Sequence, residues 1–320
     1  MSDLLQLVNV SKSYDLNGGN IKACEKVNFS MGIGEVLGIV GESGSGKTTV
    51  SNLILGLETP DSGEILFKGV PLKKMLATNN KTFRKEVQAV FQQPLLSLDS
   101  LRTIEWSMTE PLVVHRLGNK RSNRARVRDL MEVVGLDEGL LSRYPSQLSG
   151  GQLQRVNIAR ALCLEPELLI CDEAVSALDV SVQAQIINLF LGIQNNLGVA
   201  LLFISHDLEV VRHLSDRIAV MYAGSVIECA STDALISNPL HPYTRSLLAA
   251  SSLHEATTNG NWDIATFRRD ELPLIGCKFA PRCRFVEKFC TESEPQSKLF
   301  LGSHESSCVR SEELFLRGIE

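Results

Sequence analysis

No apolar run in this 320-residue chain approaches the ~18–20 residues needed to cross a bilayer. The strongest is residues 199–204, so any membrane association must come through a partner. Positive charge is not in excess either: 32 Lys and Arg stand against 37 Asp and Glu, a formal net charge of −5 with a pI near 5.8. A role on nucleic acid would therefore need a local basic patch. The one candidate is the cluster Lys120, Arg121, Arg124, Arg126 and Arg128. Val127, Leu130, Met131 and Val134 recur there at helical spacing, which favours the solvated face of an amphipathic helix. The opening residues carry an acid and no long apolar stretch, so no secretion signal is expected. Internal repeats and low-complexity tracts are lacking. The closely spaced Cys-x₂₋₄-Cys pairs typical of structural zinc are missing too, although the chain has eight cysteines. Without an export signal these read as buried thiols, with or without a metal site, rather than a disulfide framework.

What is present can form a large core, 44% of the residues being hydrophobic. Residues 1 to about 250 alternate strand-like apolar runs with helical patterns, the arrangement of an α/β sheet with helices on both faces. Strands are expected at residues 35–40, 168–171, 200–205 and 218–222, their continuous apolar character suiting buried parallel pairing. Residues 101–135 read as a helical subdomain. Val182, Ile186, Phe190, Ile193 and Leu197 mark a further amphipathic helix. From about 251 to 271 the periodicity fades into a polar linker. A small unit follows that holds four of the eight cysteines in its last 44 residues. The expected domains are thus 1–250 and 251–320.

Several short peptides carry chemistry. In Gly41-Glu-Ser43-Gly44-Ser45-Gly46-Lys47-Thr48-Thr49 the glycines let successive backbone N–H groups turn toward phosphate oxygens. Lys47 adds charge, and Thr48 offers a hydroxyl to Mg²⁺. A dinucleotide fingerprint is the rival, but its third glycine is missing, and strand-before, helix-after context supports a P-loop. Asp172 ends an apolar strand, so its carboxylate should emerge at the sheet's C-terminal edge and hold Mg²⁺ through water. Glu173 is then placed to orient and deprotonate the attacking water. Ser149-Gly150-Gly151 precedes a helical pattern beginning near Gln152, which makes a second helix N-terminus and a second anion site. Taken alone, the Asp-Glu pair is weak and the glycine cap ordinary; beside a P-loop they gain force. The chemistry implied is phosphoryl transfer from ATP to water, carried by positioning and charge stabilisation.

With Gln92, Leu148-Ser-Gly-Gly-Gln152 and His206 added, the set resembles the nucleotide-binding subunit of ABC (ATP-binding cassette) transporters, Leu148 to Gln152 matching that family's signature peptide. The resemblance implies a P-loop NTPase core with a helical signature subdomain. It also implies two cassettes meeting head to tail, each ATP lying between one chain's phosphate loop and the other's signature peptide. Tyr14 would then stack on adenine, Gln92 contact Mg²⁺ and the lytic water, Ser176 to Asp179 form the dimer-crossing loop, and His206 hold the γ-phosphate. Standing alone, Tyr14 and His206 would read as a packed strand-edge aromatic and a satisfied strand-end histidine.

Asn238-Pro-Leu-His-Pro-Tyr-Thr-Arg245, Gly276-Cys-Lys-Phe-Ala-Pro-Arg-Cys283 and Asp179-Val-Ser-Val-Gln-Ala-Gln185 resemble the oligopeptide/dipeptide subfamily of bacterial importers, which includes nickel carriers. The first is equally compatible with a proline turn followed by a helix over 243–250. The resemblance implies a peripheral ATPase on the cytoplasmic face of the inner membrane. Its partners would be two transmembrane permease subunits, a second ATP-binding subunit (the same chain or another) and, indirectly, an extracytoplasmic solute-binding protein, with no nucleic acid. The alternatives are import of nickel or another small solute, and a soluble ABC ATPase acting on nucleic acid. Cys277, Cys283, Cys290 and Cys308 are separated by five, six and seventeen residues, a spacing that leaves metal and no metal evenly matched. The resemblance favours a [4Fe–4S] cluster on these four thiols. Cys24, Cys163, Cys171 and Cys229 read as small buried hydrophobes. Ala174-Val175 and Gln93 depart from common cassette residues, and none of them removes a catalytic group. The lead-in from Asp270 to Cys277 is shorter than in relatives of this type, which bears on how the cysteine unit packs.

Overall fold

The computed structural model describes residues 3–16, 19–251, 272, 273, 275–316 and 318, so the expected linker lies almost wholly outside the described residues. These residues form two compact units that interleave along the chain. One comprises Gly32–Glu35 and Val70–Ile204; the other comprises Asp3–Met31, Val36–Gly69 and the chain from Ser205 onward. The units do not separate at residue 250, because the cysteine-containing segment belongs with the phosphate loop in the second.

In the first unit the strands Val87–Val90, Leu168–Asp172 and Ala200–Ser205 run parallel, with Val90 opposite Cys171 and Asp172 opposite Ile204. Leu168–Asp172 is buried at all five positions, as continuous apolar character requires of a strand covered on both faces. The helix Val180–Leu197 turns Ile186, Phe190 and Ile193 inward, and the Phe190 and Phe203 rings meet edge to face at 5.7 Å. The expected helical segment is two helices, Ile104–Val114 and Lys120–Val133. Both pack with the helix Gly150–Leu162. Val127, Leu130, Met131 and Val134 are buried, while Arg124, Arg126 and Arg128 pair with Glu105, Glu165 and Glu138. Three of the five basic residues of this helix face are thus paired with acids of their own unit.

In the second unit the strand Val36–Val40 pairs in parallel with Arg217–Tyr222. That strand continues antiparallel into Ser225–Ser231 and then His304–Ser306 and Lys298–Phe300, so the extension adds two short strands to this sheet. Gly38 is required where the helix Leu208–Leu214 crosses: a Cβ there would lie 2.1 Å from Val211 Cγ1. A separate antiparallel sheet is built from Gly19–Gly32, Asp3–Leu16 and Ser62–Phe67, an element beyond the expected parallel pattern. Among the described residues no helix is long and apolar enough to span a membrane.

Candidate functional site

Residues 41–46 connect the buried strand Val36–Val40 to the helix Lys47–Ile54. Gly46 caps that helix in the left-handed region (φ 103), and a Cβ on it would sit 2.3 Å from the carbonyl of Ala23, so only glycine fits. Lys47 is buried at 5% exposure. Its ammonium donates to the carbonyls of Gly41 at 2.7 Å and Glu42 at 3.0 Å. Ser43, Gly44 and Thr48 are exposed. Ser45 is buried, and its Oγ has no hydrogen-bond partner among the described residues, an orphan oxygen in a loop that reads as a phosphate cradle.

One residue of this loop was not singled out in the sequence. The Glu42 carboxylate takes a two-pronged contact from the Arg282 guanidinium, Nη1 to Oε2 at 3.1 Å and Nη2 to Oε1 at 3.0 Å. The Glu42 amide donates to the Tyr243 hydroxyl at 3.0 Å. An acid placed inside an anion-binding loop is the available signal, since such a charge calls for a cation nearby.

Tyr14, on the strand Asp3–Leu16, directs its hydroxyl to Glu58. Burial and that carboxylate push the hydroxyl up to about 12, so it stays protonated. Thr49 is half-buried. His206 is exposed directly after the strand Ala200–Ser205.

In the first unit Gln92 is exposed two residues beyond the strand Val87–Val90. Asp172 ends its strand at 6% exposure, as expected from the sequence. Glu173 adopts a left-handed backbone (φ 49). That conformation costs a non-glycine residue about 1–2 kcal/mol, and it is held by the Glu173 amide donating to Ile204 O (2.9 Å) and by Ser176 donating to the Glu173 carbonyl (3.0 Å). Strain of this kind concentrates at functional positions.

The signature helix Gly150–Leu162 begins two residues earlier than its periodicity suggested. Ser149 is its N-cap, accepting from the Gln152 amide at 3.3 Å, while Gln152 Oε1 accepts from the Ser149 amide at 2.9 Å. This reciprocal capping box leaves the first-turn amides of Gly150 and Gly151 pointing out of the helix end, the arrangement that favours an anion. Asp179 caps the helix Val180–Leu197, accepting from Ser181 Oγ at 2.7 Å and the Val182 amide at 3.0 Å. Those bonds lower its carboxyl below the usual carboxylate range. Thr48, Asp172 and Gln92 each carry an oxygen of the hard type that Mg²⁺ prefers.

Cys24, Cys163, Cys171 and Cys229 are buried, as expected. Cys277, Cys283, Cys290 and Cys308 all line one cavity of about 20 Å³, walled also by Phe279 and Leu314. That is room for about one water. Burial, with the other cysteines close by, pushes the Cys283 and Cys308 thiols up to about 11 and raises Cys277 as well. Among the described residues no group of three or more His, Cys, Asp or Glu is arranged to hold a metal ion. The iron–sulfur expectation is not supported by this arrangement: the four thiols line one small cavity, but among the described residues they are not grouped as a metal site.

Comparison with known proteins adds two family matches, "ABC transporter" over residues 24–176 and "Oligopeptide/dipeptide transporter, C-terminal region" over residues 227–290. The oligopeptide transport ATP-binding protein AppF of Bacillus subtilis is 41% identical over 318 residues, covering 95% of this chain and 96% of that protein. The oligopeptide transport ATP-binding protein OppF of Streptococcus mutans is 46% identical over 249 residues, 77% of this chain and 81% of that one. Among solved structures, the ATP-binding cassette MJ0796, described as a dimer in a post-hydrolysis state bound to ADP and Pi, is similar with a TM-score of 0.64. It is 31% identical and covers 71% of this chain and 98% of that one.

Proposed function

Because this chain belongs to the ABC transporter family of ATP-hydrolysing cassettes, we propose that it is the ATPase subunit that energises a peptide importer, most directly one for di- and oligopeptides. What carries the reading is the union in one chain of a phosphate loop with a C-terminal region of the oligopeptide/dipeptide transporter type. The relatives named as oligopeptide transport ATP-binding proteins support it along nearly the whole chain.

The residue roles follow from chemistry. Lys47 and the amides of residues 41–49 neutralise triphosphate charge. Tyr14 offers its ring to adenine. When bound, Mg²⁺ supplies charge neutralisation on the phosphate oxygens, and Thr48, Asp172 and Gln92 are the residues that would hold it. Glu173 accepts a proton from the attacking water, Gln92 orients that water, and His206 donates to the γ-phosphate. Ser149, Gly150, Gly151 and Gln152 act on the triphosphate of a second cassette, with Asp179 at the dimer-crossing loop. Turnover therefore requires pairing of cassettes. Functionally, residues 1–250 are the cassette and 251–320 a linker and extension.

The partners assigned are two permease subunits, a second cassette and, through them, an external solute-binding protein, with the chain peripheral on the cytoplasmic face of the membrane. Affinity capture of the full chain from detergent-solubilised membranes should recover permease-type proteins and a cassette. Recovery of ribosomes or nucleic-acid proteins, with ATPase activity stimulated by DNA or RNA, would overturn the reading. A [4Fe–4S] cluster on Cys277, Cys283, Cys290 and Cys308 rests on the resemblance alone, and no step of the reaction is routed through it. Absence of iron and acid-labile sulfide from anaerobically purified protein removes it.

A further inference from the structure

Residue 42 uses every polar group it has. Its carbonyl accepts from the Ser45 amide at 3.1 Å and from the Lys47 ammonium at 3.0 Å, so the direction of that one carbonyl sets both the curl of the phosphate loop and the position of its cation. Its amide donates to the Tyr243 hydroxyl at 3.0 Å. Its carboxylate is clasped by Arg282 through two bonds, at 3.1 and 3.0 Å, a planar fork that fixes orientation as well as charge.

The groups that hold residue 42 are themselves stiff. Tyr243 is wholly buried, its ring 4.6 Å from that of Tyr222 and 5.5 Å from that of Phe279. Arg282 is 11% exposed, and the Glu42 side chain 18%. The guanidinium lies 5.6 Å from the Tyr222 ring centroid and 5.8 Å from that of Phe279, and Nη1 also donates to the Tyr222 hydroxyl at 3.3 Å. Such a cation, largely withdrawn from water, is held in place by the carboxylate fork and the aromatic faces that offset its desolvation. Arg282 closes the short turn Ala280–Arg282, whose backbone is tied to the cysteine segment: the Ala280 amide donates to Cys277 O at 2.9 Å, and the Ala280 carbonyl accepts from the Cys283 amide at 3.2 Å.

We propose that Tyr243 and Arg282 are positioning residues for the phosphate loop, through which the cysteine-containing extension sets the affinity of the cassette for ATP. The argument rests on the reading of residues 41–48 as the triphosphate cradle. A free carboxylate at residue 42 would repel an incoming triphosphate. Clasped by Arg282 it is neutralised, and the field at the loop is left to Lys47 and the backbone amides. The extension then acts on nucleotide binding without touching nucleotide. Any rearrangement around the four thiols moves the turn that carries Arg282.

The test uses the full chain and its variants Arg282→Gln, Arg282→Lys, Tyr243→Phe and Glu42→Gln/Arg282→Gln. The readouts are dissociation of a fluorescent ATP analogue, the KM and kcat of ATP hydrolysis, and thermal unfolding. Arg282→Gln should weaken ATP binding about tenfold, the effect of stripping the partner from a charge-assisted pair, with a parallel rise in KM and kcat within about twofold at saturation. Arg282→Lys should recover part of the loss. The double variant, which removes both charges, should recover most of it. Tyr243→Phe keeps the aromatic packing and should weaken binding about threefold to tenfold through one hydrogen bond. If the wild type binds ATP and Arg282→Gln and Tyr243→Phe bind it equally well, or if the double variant recovers nothing while affinity only tracks the unfolding temperature, the proposal is overturned. A wild type that binds no ATP overturns the phosphate-loop reading itself and this inference with it.

Discussion

The Glu228 carboxylate and the His304 imidazole meet at 2.7 Å with side-chain exposures of 0% and 4%, which joins the strand Ser225–Ser231 to the extension in a dry interior. The same carboxylate accepts from the amides of Leu240 at 2.7 Å and His241 at 2.9 Å, so one buried acid anchors both the turn before the helix Pro242–Ser251 and the strand His304–Ser306. Removing such an acceptor leaves two amides and an imidazole without it. Glu228→Ala should cost about 3–5 kcal/mol of stability, and Glu228→Gln less, since an amide oxygen still accepts. Urea denaturation monitored by circular dichroism measures both; a Glu228→Ala midpoint equal to wild type would refute the anchor.

Glu25 supplies the pH dependence. Burial opposes its ionisation, but hydrogen bonds from Lys22 and Lys278 outweigh that and bring the carboxyl from its ordinary 4.5 to about 2. Lys278 lies 2.8 Å away. With the folded value lowered, the contribution is fully present above about pH 4.5 and is lost as the pH falls through about 2. Glu25→Gln should therefore narrow its stability gap to wild type in acid. Melting temperatures taken from pH 6 down to pH 2 give the answer, and a gap constant over that range would count against the linkage.

Glu173→Gln should keep ATP bound and stop turnover, because the amide preserves shape and cannot take the water's proton. Retained radiolabelled ATP with phosphate release down by about a hundredfold or more is the expected pair of results. Phosphate release at the wild-type rate would remove the base assignment.

Ser149→Ala separates a cap from a ligand. Loss of the N-cap bond should cost about 1 kcal/mol of stability. Turnover should fall by at least about tenfold if, as proposed, the serine also serves the triphosphate of a neighbouring cassette. ATP binding to the isolated chain should be unaffected. Activity that follows stability alone would mean the serine only caps its helix.

Much of this arrangement was legible in contiguous residues. The strand Leu168–Asp172 and the acid that ends it, the glycines before Lys47, and the Ser149 cap are each set by neighbours a few positions away. Local sterics and capping chemistry read the same in a peptide as in a fold. The antiparallel sheet was not legible. Asn9 and Lys26 adopt left-handed backbones, and the pairing of Asp3–Leu16 with Ser62–Phe67 shifts register between Val8 and Ser11. Each such break moves the apolar residues to the other face and hides the period of two.

The sequence by itself determined the chemistry: a cation and amides for phosphate, an acid at a strand end, a glycine-rich cap, a C-terminal run of thiols. Only the tertiary structure decided what governs them. Glu42 and Arg282 stand 240 residues apart, and Glu228 and His304 stand 76 apart; four thiols scattered over thirty-two positions face one cavity. No local rule brings such residues together. Their meeting depends on the path the chain takes through the sheet, and that path is fixed by the burial of the whole core rather than by any segment of it.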